Sequence, residues 1–137
     1  MVGDIFKRIT DLLANEDASE LNRLMADSVR VLAVYRGVCW RSEMVTDLLK
    51  LYRFLNRMEI INPKLLDRAL DELRNIGVVT IEERRRGLIT YSGTYMDKLI
   101  GLSDLNATLA VLTKDTIYKE YMSERYRKIR DALKKAT

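Results

Sequence analysis

The sequence contains no histidine and only one cysteine, Cys39, among its 137 residues. Without histidine there are no Ser-His or Cys-His nucleophile pairs, and no histidine bases or metal ligands. A single cysteine excludes an internal disulfide and a zinc cage made of cysteines. The six glycines are scattered and form no phosphate-binding loop. We therefore expect no enzymatic activity, no metal and no cofactor.

Long hydrophobic runs are also missing. No apolar stretch approaches the roughly 20 residues that a membrane-spanning helix needs, and the first residues lack the basic-then-apolar order of a signal peptide. These two absences predict a cytoplasmic protein with no membrane partner. Glutamine is absent as well, while 32% of the residues are charged, and this combination is typical of thermophilic proteins.

The residues that are present have the composition of a globular protein, with 47% hydrophobic residues and a net charge of +4. The length fits a single domain over residues 1–137. The charge is uneven, since residues 1–35 carry −2 and residues 114–137 carry +4. Such a basic excess indicates an anionic partner such as nucleic acid, but a solvated helix face also explains it.

Apolar residues at helical spacing predict helices over the first part of the chain. The first helix lies within residues 1–18, and Ser19 begins a second one that ends at Gly37. Ser42 is the expected cap of a third helix. The apolar stripe of the first helix consists of Ile5, Phe6, Ile9, Leu12 and Leu13.

Asn62-Pro63 marks the start of a fourth helix, because asparagine is a good cap and proline is tolerated at the first helical position. Gly77 is its expected left-handed stop. The β-branched run 78–81 and a second short β-type run, 88–91, then predict a hairpin whose charged tip, 82–87, contains three consecutive arginines.

The rest of the chain has a helical pattern. Met96, Leu99 and Ile100 form a short helical stripe, and 113–115 breaks the helices that follow. Residues 102–137 are therefore predicted to form C-terminal helices. The apolar stripe of the last helix consists of Tyr118, Met122, Ile129 and Leu133.

Three helices, a hairpin and further helices follow the order of a winged helix-turn-helix domain. The run LDELRNIGVV at 70–79 resembles the end of the recognition helix in MarR-type regulators, and LITYSGTYMDKL at 88–99 is similar to the strand and helix start after their wing. The resemblance implies a mainly α fold with a small β-hairpin. A winged-helix core over 19–101 would carry extra N- and C-terminal helices.

This resemblance also implies a transcriptional regulator that binds double-stranded DNA as a homodimer. One helix would read bases in the major groove while the arginine-rich wing contacts phosphates or the minor groove. The expected DNA-binding residues are Lys64, Leu65, Asp67, Arg68, Arg84, Arg85 and Arg86. The expected dimerisation residues are the two stripes on the first and last helices, whose apolar surface a winged-helix core would leave uncovered. The terminal helices could instead cover each other within one chain.

A second hypothesis keeps the fold but changes the partner. Asp67, Asp71 and Glu72 lie on the candidate recognition helix and would repel phosphates. The arginine triplet could equally be a solvated hairpin tip. The chain would then be a winged-helix protein-interaction subunit of a larger nucleic-acid-processing or chromosome-segregation assembly.

Overall fold

A computed structural model of the protein describes residues 2–87 and 93–136. Within these ranges the chain is mainly helical, with one small antiparallel sheet of three strands. The helices are α1 (Val2–Ala14), α2 (Glu20–Val34), α3 (Arg41–Phe54), α4 (Pro63–Asn75), α5 (Leu105–Leu112) and α6 (Thr116–Ala136). The strands are β1 (Val38–Trp40), β2 (Val79–Gly87) and β3 (Thr94–Leu102), and a 3-10 turn covers Glu16–Ala18.

Several predicted helix ends are confirmed. The Ser19 hydroxyl accepts a backbone N–H of the first turn of α2 at 3.0 Å. Asn62 accepts the N–H of Lys64 at 2.9 Å, and Pro63 is the first residue of α4. Gly77 follows α4 with a φ of +79°, a conformation that side chains with a Cβ rarely adopt.

The predicted cap of the third helix is wrong. Helix α3 begins at Arg41, and its N-cap residue is Trp40, whose side chain forms no capping hydrogen bond. Ser42 therefore lies inside the first turn, where its hydroxyl donates to the Asp97 carboxylate at 2.5 Å. The short strand β1 directly before α3 leaves no free turn in which Ser42 could serve as a cap.

The sheet has the order β1-β3-β2, and both pairs are antiparallel. The sequence-based hairpin is wrong in its boundaries, because residues 82–87 belong to β2 rather than to the tip. The predicted helical stripe Met96, Leu99 and Ile100 is also wrong, since all three residues lie in β3. The predicted strand 88–91 lies within 88–92, outside the described residues.

The core is built around α2, whose residues are buried from Leu24 to Val34. Helix α1 packs on α5 and α2, and its Ile9 is completely buried. The first half of α6 also joins the core, where the Tyr121 ring contacts Phe54 at 5.3 Å between centroids. The second half of α6 is exposed.

A buried ionic cluster ties α2 to the start of α6. Arg30 is 1% exposed and donates to Glu16, Asp27 and Asp115 at 2.7 to 3.1 Å. Asp27, itself fully buried, also accepts a hydrogen bond from Arg57 at 3.0 Å.

Within the described ranges, no helix combines the length and apolar character needed to span a bilayer.

Candidate nucleic-acid interface

Helix α4 buries one side and presents the other to solvent. Its buried stripe consists of Leu66, Ala69, Leu70 and Leu73. The helical period of 3.6 residues therefore puts Lys64, Arg68, Asp71 and Asn75 on the opposite side. The side chains of Lys64 and Arg68 are exposed and form no ion pair with any residue in the described ranges. These two cations are available to an external partner.

The acidic residues of α4 have cations of their own. Asp67 accepts from Arg41 at 2.6 Å, and Asp71 lies 3.2 Å from Arg74. Arg41 also donates to the carbonyl of Pro63 at 3.1 Å, so it joins the start of α3 to the start of α4. No local pattern in the sequence marks Arg41 as a link between the two helices. Its partners lie more than 20 positions along the chain, so only the folded structure shows these contacts.

Leu65 has a different environment from the one expected of a base-reading residue. It is half-buried and packs against the hydrophobic core. A side chain in that position supports the orientation of α4. Four residues of this helix are candidates for DNA binding. Of these four, only Lys64 and Arg68 are exposed and have no partner among the described residues.

The three consecutive arginines of β2 have three different environments. Arg86 lies over the Trp40 ring at 4.4 Å and donates to Asp97 at 3.0 Å. Arg84 is exposed and forms an ion pair at 2.7 Å with Glu82 of the same strand. Arg85 is exposed and has no partner among the described residues. The alternation of a strand separates Arg85 from the other two, because neighbouring side chains point to opposite faces of the sheet, while Trp40 and Asp97 distinguish Arg86 from Arg84.

Arg86 therefore has a structural role within the protein. Besides Asp97, it donates to Glu43 of α3 at 3.2 Å, and its own side chain is only 22% exposed. Trp40 is half-buried beneath this guanidinium. A phosphate contact by Arg86 would require breaking these interactions, which makes it a poor candidate for DNA binding.

Asp97 is the acceptor at the centre of this cluster. Partial burial disfavours the ionised form, but hydrogen bonds from Ser42, Arg86 and the backbone of Lys98 outweigh that cost and lower the pKa of Asp97. Asp97 is 9% exposed, and its carboxylate remains charged. Its role is to hold β3 against the start of α3.

A groove separates the start of α4 from the β2–β3 hairpin. It has a volume of about 340 Å³. Its lining consists of Arg41, Asp67, Glu83, Met96, Asp97 and Lys98. Three carboxylates and two cations therefore share this groove, and its walls are not a uniformly basic surface.

The Cys39 thiol is buried, and burial raises its pKa to about 12, so it is not a nucleophile near neutral pH. In residues 2–87 and 93–136 no three acidic or cysteine side chains are close enough to hold a metal ion.

The two expected dimerisation stripes differ in exposure. In α1, Ile9 is completely buried within its own chain, Phe6 is 41% exposed, and Ile5, Leu12 and Leu13 are half-buried. In α6, Tyr118 and Met122 are half-buried against the core, whereas Ile129 and Leu133 are 52% and 63% exposed. Tyr126, which the predicted stripe omitted, is 60% exposed. Most of the uncovered apolar surface of the two helices therefore lies on the second half of α6.

Comparisons with known proteins give no relative: no family model, no curated protein and no solved structure matches this chain.

Proposed function

We propose that this protein is a winged-helix DNA-binding protein that acts as a dimeric regulator of transcription. The proposal is supported by the order of elements from α2 to β3, which is helix, strand, two helices and two strands. The antiparallel sheet order β1-β3-β2 brings the hairpin next to the strand that precedes α3. In this interpretation α3 and α4 are the helix-turn-helix pair, and β2 with β3 is the wing.

Duplex DNA is the proposed partner because both α4 and the wing carry cations that are exposed and unpaired among the described residues. Among them are Lys64 and Arg68 on the outer side of α4, and Arg85 on the wing. Guanidinium and ammonium groups bind phosphates, and Arg68 could also donate to guanine in the major groove. This single observation, unpaired cations on both the helix and the wing, carries the proposal.

The test removes these cations and measures salt dependence. The triple variant Lys64→Ala/Arg68→Ala/Arg85→Ala should bind mixed-sequence duplex more weakly, with a salt slope reduced by about 0.9 for each phosphate that is no longer neutralised. A matched control is Lys7→Ala/Lys114→Ala/Lys119→Ala, which removes the same charge from exposed lysines outside α4 and the wing. Equally weakened binding in the two triple variants would contradict the proposal, since only net charge would then matter.

The groove beside α4 favours a second candidate function. Asp67, Glu83 and Asp97 in its lining give it more acidic than basic groups, and acidic walls repel a phosphate backbone. The winged helix would then be a protein-interaction module within a larger assembly. Affinity purification from a native extract distinguishes the two functions, because a stoichiometric protein partner that survives nuclease treatment would favour this candidate.

A further inference from the structure

The outer side of α6 continues as an exposed apolar stripe beyond the body of the protein. Met122, Tyr126, Ile129 and Leu133 follow one another at spacings of four, three and four residues. This is the spacing of the a and d positions in a coiled coil. Met122 is half-buried at the edge of the core, and the other three side chains are more than half exposed. The stripe is therefore ready to pair with another helix.

The flanks of the stripe distinguish between the possible directions of pairing. With Tyr126 and Leu133 at a positions, Arg125 takes a g position and Arg130 an e position. In a parallel pair, g faces e of the partner, so Arg125 would lie against Arg130 of the partner chain. Arg125 cannot move away easily, because its guanidinium stacks on Tyr35 at 5.0 Å and on Tyr121 at 6.0 Å. A parallel pair would therefore bring like charges together on both sides of the seam.

An antiparallel pair removes this repulsion. There, e positions face e positions and g positions face g positions. Arg130 then lies opposite Ser123 of the other copy, and Arg125 opposite Ala132 of the other copy. Both neighbours are small and uncharged, so they leave room for the arginine stems to pack along the seam. The flanking residues thus complement a second copy of the same helix.

The register follows from the four apolar positions. Only one antiparallel alignment uses all of them, with Tyr126 packed against Ile129 of the other copy and Met122 against Leu133 of the other copy. A shift by one heptad leaves half of these side chains without a partner. Two-fold symmetry makes each contact occur twice, which is the usual arrangement of a homodimer.

We infer that a second copy of this chain covers the stripe, and that the two α6 helices pair antiparallel in this register. The inference rests on the homodimer of the proposed function and specifies its interface. It excludes α1 from the centre of the seam, because Ile9 is already fully buried within its own chain.

Disulfide cross-linking tests both direction and register. In a Cys39→Ala background, we expect Met122→Cys/Leu133→Cys to form covalent dimers on mild oxidation, whereas each single variant stays uncross-linked. Identical residues at these sites lie about 16 Å apart along an antiparallel pair, far beyond the roughly 7 Å that a disulfide spans between Cα atoms. Cross-linking of the single variants would show a parallel pair and overturn the inference, as would no cross-linking in the double variant.

A second measurement keeps the inference testable if Met122→Cys perturbs folding. Leu133→Glu should convert the dimer into a folded monomer in light scattering, while Lys135→Glu, exposed on the same turn but off the stripe, should leave the dimer intact. A monomeric wild-type protein that still binds duplex would overturn this inference and the proposed dimer, but not the proposed DNA binding by α4 and the wing. A cross-linked antiparallel dimer without affinity for DNA would instead overturn the proposed function.

Discussion

Replacement of Arg30 by methionine tests the buried cluster that joins α2 to the start of α6. The arginine is 1% exposed and makes hydrogen bonds to three carboxylates. Methionine keeps an apolar stem but leaves these carboxylates without their shared cation. Asp27 would retain only Arg57 as a charged partner, at 3.0 Å. The variant therefore loses the free energy of unfolding that an uncompensated buried charge costs. This loss is larger than the loss from one missing hydrogen bond.

The expected magnitude is about 3 to 5 kcal/mol of unfolding free energy, the typical cost of removing one partner from a buried ion pair. For a chain of this size, that destabilisation lowers the melting temperature by roughly 10 to 20 °C. Arg23 provides a matched control on the same helix, since it also contacts two carboxylates, Asp17 and Glu59, but its side chain is 35% exposed. Arg23→Met should cost less than about 1 kcal/mol, as exposed ion pairs do.

Urea denaturation at two pH values completes this test. Burial raises the pKa of Asp27, and the nearby Arg30 and Arg57 oppose that shift. Removal of Arg30 raises the folded-state pKa further above the unfolded value, so the folded variant binds a proton more readily. Its stability should therefore recover as the pH falls through that raised pKa. A destabilisation below about 1 kcal/mol, or a variant that becomes still less stable on mild acidification, would refute this reasoning.

Three further predictions concern single sites. Arg86→Ala should lower the melting temperature and leave the salt slope of DNA binding unchanged. Arg85→Ala should instead lower that slope by about 0.9 without destabilising the fold. A calorimetric scan and a salt titration of both variants check these expectations. Cys39 should resist thiol reagents in the native protein at neutral pH, because its pKa is raised to about 12, and it should react once denaturant is added. Asn62→Ala should cost about 1 kcal/mol in urea denaturation, since it removes the cap of α4.

Local signals in the sequence predicted the ends of individual helices well. Ser19, Asn62 and Gly77 act through contacts with residues two to four positions away, or through their own backbone conformation. Such effects do not depend on the rest of the fold. The predominance of helix and the presence of a hairpin were also predictable from apolar spacing and the β-branched run after Gly77.

Long-range pairing could not be predicted in the same way. Strand β1 has only three residues and is stabilised by pairing with β3. The paired residues lie far apart along the chain, as Val38 and Gly101 show. Met96 and Ile100 have the spacing of a helical stripe, but pairing with β2 makes them part of a strand. Tertiary context overrides local pattern in such segments.

The same limitation affects the candidate interface. The sequence groups Arg84, Arg85 and Arg86 together, but strand alternation and the position of Trp40 give each a separate role. Arg41 carries no signal in the sequence, because its partner Asp67 lies on another helix. Lys64 and Arg68, by contrast, are exposed as the helical period predicts.

The most direct test of DNA binding by α4 and the wing is a salt titration of the wild-type protein with mixed-sequence duplex DNA. We expect measurable binding at about 50 mM salt and a linear fall of log K with log salt concentration. Three phosphate contacts per protomer correspond to a slope of about −2.7, and twice that value if both protomers of a dimer engage the same duplex. Absence of binding at low salt, or a slope near zero, would contradict DNA binding by these elements.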